Sequence, residues 1–350
     1  MIARLPRPAA LALALIIAAV CAWCLSTRPP PIAIAQPDTY TDALLYRDIA
    51  AAVAHGEPYY QAAARLQRAH LYPLKPFMTV RQPTLAWWVA ATGRPGLVMT
   101  GRIAVLASLA AWIMATRGQP LLAERLGIAL AAGTGSLTAL SPAALLFHET
   151  LAGLCLSLAM AGVWGWPRKW WLIMAPLAVG LAIRELTLPF VLLVLAFAII
   201  ERRWREAGAW LGLVLAWAAL MAWHAHRVAA LWQPGDETSQ GWTTMQGFSA
   251  FLNAVVHSSI LSLLPAPWAA LAAFLPMVGW LALDGRAGRF GVLAVAGYAL
   301  MLSMFTRPDT FYWGAIMVPW YFAGYGLVPR ALVELTRTIA GKPKGVIAAV

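Results

Sequence analysis

Long apolar runs broken by short basic turns set the limits on what this chain can become. Runs of about 17 to 22 residues recur along the whole length, and each can cross a hydrocarbon core as a helix. The chain is 61% hydrophobic and only 11% charged. A soluble domain of 350 residues needs far more charge on its surface. The fold class is therefore an all-α polytopic membrane protein.

The formal net charge is +12, but its placement argues against nucleic acid. Basic residues fall in the short segments between apolar runs, the positive-inside pattern. A nucleic-acid protein gathers them on one face of a soluble domain. Cys21, Cys24 and Cys155 all sit inside apolar runs, where packing explains them better than redox or metal chemistry.

Arg4 and Arg7 precede the first span, residues 9–25, which keeps the N-terminus in the cytoplasm. Ala33-Ile34-Ala35 mimics a signal cleavage site. The run is long for a signal peptide and Pro29 to Pro31 intervene, so a retained anchor is expected. Residues 26–96 then form a long exoplasmic loop. Spans two to six occupy 97–205 and spans seven to ten occupy 206–330, with a second outer loop at 224–247 and a cytoplasmic tail at 331–350. Residues 248–264 are expected as a surface or re-entrant helix. Both termini lie inside, with about ten spans in all. In a bacterium this is an inner-membrane protein with its active face to the periplasm. Nine of the fourteen acids fall outside in this topology, and the positive-inside rule does not require that.

The first outer loop is the densest polar stretch in the chain. Thr39 and Asp42 have the spacing of a capping box. Leu44, Leu45, Ile49 and Val53 follow at helical intervals until Gly56 and Pro58 end the helix. A second amphipathic stretch, 60–70, is expected along the membrane surface. A third helix, 83–92, carries Trp87 and Trp88.

Asp42 heads the candidates, with Tyr46 one turn on and on the same face. An acid in a first helical turn also serves the helix dipole, and on the residues alone both readings stand. Arg184 ends a span, where an arginine must pair or meet water. It can serve an anion or pair with Glu185 or Glu149. Trp87 and Trp88 can anchor at the interface or stack on sugar rings. Asp48, beside Arg47, is expected to be structural.

Asp42-x-x-x-Tyr46-x-x-x-Ala50-x-x-x-x-x-Gly56, just past the first span, resembles the first exoplasmic loop of the C-type superfamily of membrane glycosyltransferases. That group includes protein O-mannosyltransferases, the aminoarabinose transferase of lipid A and the family 87 mannosyltransferases. Arg81-Gln82-Pro83-Thr84-Leu85 looks like their Lys/Arg-Pro-Pro-Leu segment, with Gln82 in place of a proline. Ala43 stands where several relatives carry a second acid. The resemblance covers roughly residues 37–205. It implies a sugar moved from a polyprenyl-phosphate donor to a lipid, glycan or protein acceptor. Asp42 then matches the general base and Arg81 the residue beside the donor phosphate, with Arg184 a second candidate. Glu149 matches an acid that binds acceptor or a divalent metal. The competing class is a transporter or flippase of a lipid-linked glycan. The lack of Gly/Pro-broken paired spans counts against that class.

Overall fold

The computed structural model describes residues 1–26 and 40–342. Asp38, Thr39, the Pro29 to Pro31 run, Ala33 to Ala35 and Lys344 lie outside the described residues. All named regular elements are helical, and one isolated bridge pairs Lys75 with Thr238. Helix α1 is Arg7–Ser26 and α2 is Asp42–Ala54. Helix α3 is Tyr59–Ala69, α4 is Thr84–Ala115 and α5 is Leu122–Gly135. Then come α6 (His148–Gly165), α7 (Trp170–Ile183), α8 (Leu188–Ile200) and α9 (Trp204–Ala229). The last five are α10 (Phe248–His257), α11 (Ala266–Trp280), α12 (Gly285–Phe305), α13 (Val318–Tyr321) and α14 (Val328–Ile339).

Among the described residues four stretches are long and apolar enough to cross a membrane: α1, the stretch Phe77–Ala115 that contains α4, then α9 and α12. Shorter apolar helices, including α7, α8, α10 and α11, pack among them. Helix α6 is buried on every side from His148 to Val163 apart from Cys155 and Leu158, so it is the axis of the bundle. The first and last described helices meet on one side. The Met1 ammonium lies 2.8 Å from the Asp284 carboxylate, and Arg7 Nε donates to Ile339 O at 2.9 Å.

Local chemistry explains the first loop. Thr41, not Thr39, caps α2, its hydroxyl accepting the Leu44 N–H at 3.4 Å, which moves Asp42 to the first helical position. Gly56 ends the turn at φ +93°, a region that glycine enters without a Cβ clash. Gly93 breaks α4 with φ 68° and ψ −177°, so residues 84–92 form the separate short helix expected there. Helix α3 is not a simple surface helix. Tyr59, Tyr60, Ala62, Ala63, Ala64 and Gln67 are buried against the rest of the loop and α9, because three successive small side chains let backbones approach.

Three further expectations need correction. Helix α9 continues to Ala229, so the loop expected at 224–247 starts at 230 and His224 is a buried helical residue. Helix α10 is no surface helix: Ala250 to Leu252 and Ala254 to Val256 are buried. The tenth span is not one α-helix. A 3-10 segment Pro308–Ile316, the short α13 and a second 3-10 segment Phe322–Leu327 replace it. Pro319 supplies no N–H for a continuing ladder. Close backbone contacts do the rest: a Cβ on Gly279 would lie 1.8 Å from Gly324 O. Part of the expected tail is helical too, since α14 spans Val328–Ile339.

That contact sets a test. Gly279→Ala forces two backbones apart, and overpacking costs typically about 1–3 kcal/mol. Gly212→Ala on α9, where nothing lies within 4 Å, should be neutral or slightly stabilising. Thermal unfolding of detergent-solubilised protein measures both; equal shifts would rule out the close approach.

Candidate functional site

Helix α2, the segment before α4, the head of α6 and the 3-10 segment Pro308–Ile316 enclose a cavity of about 1100 Å³. Its lining has an apolar part, with Leu45, Ile49, Ala86, Val89 and Leu146, and a polar part, with Glu237, Thr238, Ser239, Gln240, Arg307 and Asp309.

The lining also carries a chain of hydrogen bonds. Tyr312 donates its hydroxyl to Asp42 Oδ2 at 2.7 Å. Arg81 Nη2 donates to the same hydroxyl at 3.5 Å, and Arg81 Nε donates to Tyr46 OH at 3.0 Å. The guanidinium also lies 5.9 Å from the Tyr46 ring centroid. Asp42, Tyr46 and Arg81, three of the residues expected from sequence, therefore share one site. Tyr72 donates to Tyr40 O at 3.2 Å, and burial together with the neighbouring Asp42 carboxylate pushes its phenol pKa up.

Burial also pushes the Tyr46 phenol up to about 12 despite the nearby Arg81. It does the same, more strongly, to Tyr312. Both therefore stay protonated donors at neutral pH. For Arg81 burial opposes the charge, yet Tyr46, Tyr312, Glu149 and Glu185 more than offset it and hold its pKa well above the ordinary value. The site thus presents a fixed cation and a carboxylate joined through a phenol.

Arg184 and Glu149 are placed differently from the expectation that they serve donor and acceptor. They meet each other at 2.7 Å with 1% and 0% of their side chains exposed, and Arg184 also reaches Glu185 at 2.5 Å. Neither lines the cavity; both lie behind its wall, where Arg184 stands 5.6 Å from the ring of the lining residue Trp313. The ion-pair reading of Arg184 is the one that matches. No group of three or more His, Cys, Asp or Glu among the described residues is placed to hold a metal ion.

Trp87 and Trp88 are half-exposed and stand outside the cavity lining. Trp88 donates to Thr100 Oγ1 at 3.0 Å, tying the short helix to the following span, and Trp87 packs edge-on to Tyr59 at 6.3 Å. Trp242 and Trp313 line the cavity instead. Asp48 is held by Arg47 Nε and Tyr40 OH, both at 2.8 Å. Partial burial opposes its charge, but those hydrogen bonds prevail and lower its pKa. It does not line the cavity, in keeping with a structural role.

Tyr312 is the residue that sequence reasoning missed. It lies 270 positions from Asp42, inside the region read as spans seven to ten, and no spacing signal joins the two. No family model, no curated protein and no solved structure matches the chain.

The buried pair can be tested directly. Arg184→Met leaves Glu149 buried without its partner, which costs about 3–5 kcal/mol, whereas Glu149→Gln costs less because Arg184 keeps Glu185. Removing both together should cost much less than the sum. Unfolding midpoints of the three variants decide it, and additive losses would mean that the two charges stand independently.

Proposed function

We propose that this chain is an integral membrane glycosyltransferase that moves a sugar from a polyprenyl-phosphate donor to an acceptor hydroxyl on the exoplasmic face. The reading rests on one observation above all: Asp42 and Arg81 face one cavity, joined through Tyr312. The apolar part of the lining suits the first units of a prenyl chain and the polar part suits an acceptor. The resemblance of the first loop to C-type glycosyltransferases points the same way.

In the proposed reaction Asp42 accepts the proton of the acceptor hydroxyl as its oxygen attacks the anomeric carbon. The bond from that carbon to the phosphate oxygen breaks, and the prenyl phosphate leaves with the electron pair. Arg81 stabilises the charge that develops on it. Tyr46 orients the guanidinium. The acceptor is a lipid, glycan or protein, and the chain works in a bacterial inner membrane with the cavity facing the periplasm. Both termini are cytoplasmic in this topology, and the contact of α1 with α14 fits it.

Asp42→Asn keeps a hydrogen-bond acceptor for Tyr312 and leaves the Thr41 cap in place, so stability should change by about 1 kcal/mol or less. Glycosyl transfer should fall by about 10²–10⁴-fold, the usual worth of a general base. Asp48→Asn, on the same helix but off the cavity, should stay largely active. Transfer from prenyl-phosphate sugar in proteoliposomes compares them. Near-normal activity of Asp42→Asn would remove this carboxylate from the chemistry.

Orientation is tested separately. Gln61 is exposed on α3, so Gln61→Cys should react with a membrane-impermeant maleimide in intact cells. Labelling that requires permeabilisation would reverse the topology and with it the cytoplasmic termini.

A further inference from the structure

The stretch that carries Arg81 is extended backbone between the 3-10 turn Phe77–Thr79 and Pro83. Such a segment has no ladder of its own to fix where its side chains point. Two consecutive carbonyls in it are nevertheless pinned from outside. Tyr59 OH donates to Arg81 O at 2.5 Å. His224 Nε2 and Val80 O stand 3.0 Å apart, and His224 Nδ1 and Tyr60 OH also stand 3.0 Å apart. A carbonyl can only accept, so Nε2 carries the proton and donates to Val80 O. In the neutral ring Nδ1 then accepts from Tyr60. His224 is 3% exposed and Tyr60 is 5% exposed. Phe77 closes the imidazole edge at 5.9 Å.

We propose that His224 is a positioning residue: with Tyr59 and Tyr60 it clamps the backbone at Val80 and Arg81 and so fixes where the Arg81 guanidinium stands in the cavity. The proposal builds on the reading of Arg81 as the residue that faces the donor phosphate. The geometry favours this role over simple packing. Both ring nitrogens are used, one on each of two elements, α3 and the Arg81 segment. A phenyl ring of the same shape would fill the space and lose both bonds. Helix α9 supplies His224 from a span otherwise remote from the cavity lining, so the clamp ties the first loop to the bundle.

The test uses the full chain in detergent and farnesyl phosphate as the probe, read by quenching of tryptophan fluorescence. His224→Phe should weaken binding by about fivefold, the scale of one or two lost hydrogen bonds. His224→Gln, whose amide can donate to Val80 O and accept from Tyr60, should recover a large part of it. In an Arg81→Ala background the same His224→Phe change should have little further effect, because the group it positions is gone. Where Arg81→Ala itself weakens binding, an equal loss from His224→Phe in both backgrounds, or no loss in either, overturns the clamp.

A second readout needs no ligand. Phenylglyoxal modification of Arg81, followed by peptide mass spectrometry, should run faster in His224→Phe than in the wild type, while exposed Arg205 reacts alike in both. Equal rates at Arg81 overturn the clamp whatever the donor proves to be. If Arg81→Ala binds farnesyl phosphate like the wild type but the modification rates differ, the donor-phosphate reading fails and the clamp stands.

Discussion

Glu149 and Arg184 face each other at 2.7 Å with almost no solvent contact, and the wall of the cavity is built on that pair. Glu149 is the second residue of α6, the buried axis, and Arg184 follows the last residue of α7. Their attraction locks the start of α6 to the end of α7, two helix ends that water does not solvate. His148, next to Glu149, then lines the cavity and meets Tyr46 edge-on at 5.0 Å. Trp313, over Arg184, closes another side. Burying two charges is expensive, and an ion pair offsets that cost only while both partners stay. The position of the cavity wall therefore depends on a contact outside the cavity.

Much of the frame could be read from the sequence because its signals are local. The first span, the existence of the loop helix, its end at Gly56, and the break between the 84–92 helix and the following span all come from period and punctuation. Apolar length and flanking arginines marked the region 97–205 in which α6, α7 and α8 lie. Asp42, Tyr46 and Arg81 were legible as candidates, and they converge on one cavity.

What could not be read depends on contacts distant in sequence. The 60–70 stretch reads as amphipathic, which suits a membrane surface as well as a protein interior, and the small Ala62 to Ala64 let α3 bury itself. Residues 314–328 have the composition of a span. Only the approach of Gly324 to Gly279 and Gly326 to Ile128, together with Pro319, breaks them into short helical turns. Hydropathy cannot distinguish α10, which is sealed inside protein, from a helix lying on a surface. Tyr312 reaches Asp42 across 270 residues, and no spacing rule spans that interval.

The arginines of this protein make two kinds of contact, and the difference bears on the proposed chemistry. Arg68 grips Asp236 with two hydrogen bonds at 2.5 and 3.0 Å, and Arg65 holds Glu57 at 3.0 and 2.6 Å. In such forked pairs each charge is largely satisfied by the other. Arg81 and Asp42 are linked differently, through the hydroxyl of Tyr312. The phenol gives its one proton to the carboxylate and takes a hydrogen bond from the guanidinium. A carboxylate accepts up to about four hydrogen bonds and a guanidinium donates five, so one phenol between them uses little of either. Directly paired, the two groups would neutralise each other and leave little for a ligand. Held apart by one side chain, the acid keeps capacity for an acceptor hydroxyl and the cation keeps capacity for an anion. The proposed transfer needs that combination, a base and a fixed positive charge a few ångströms apart that have not already closed on one another.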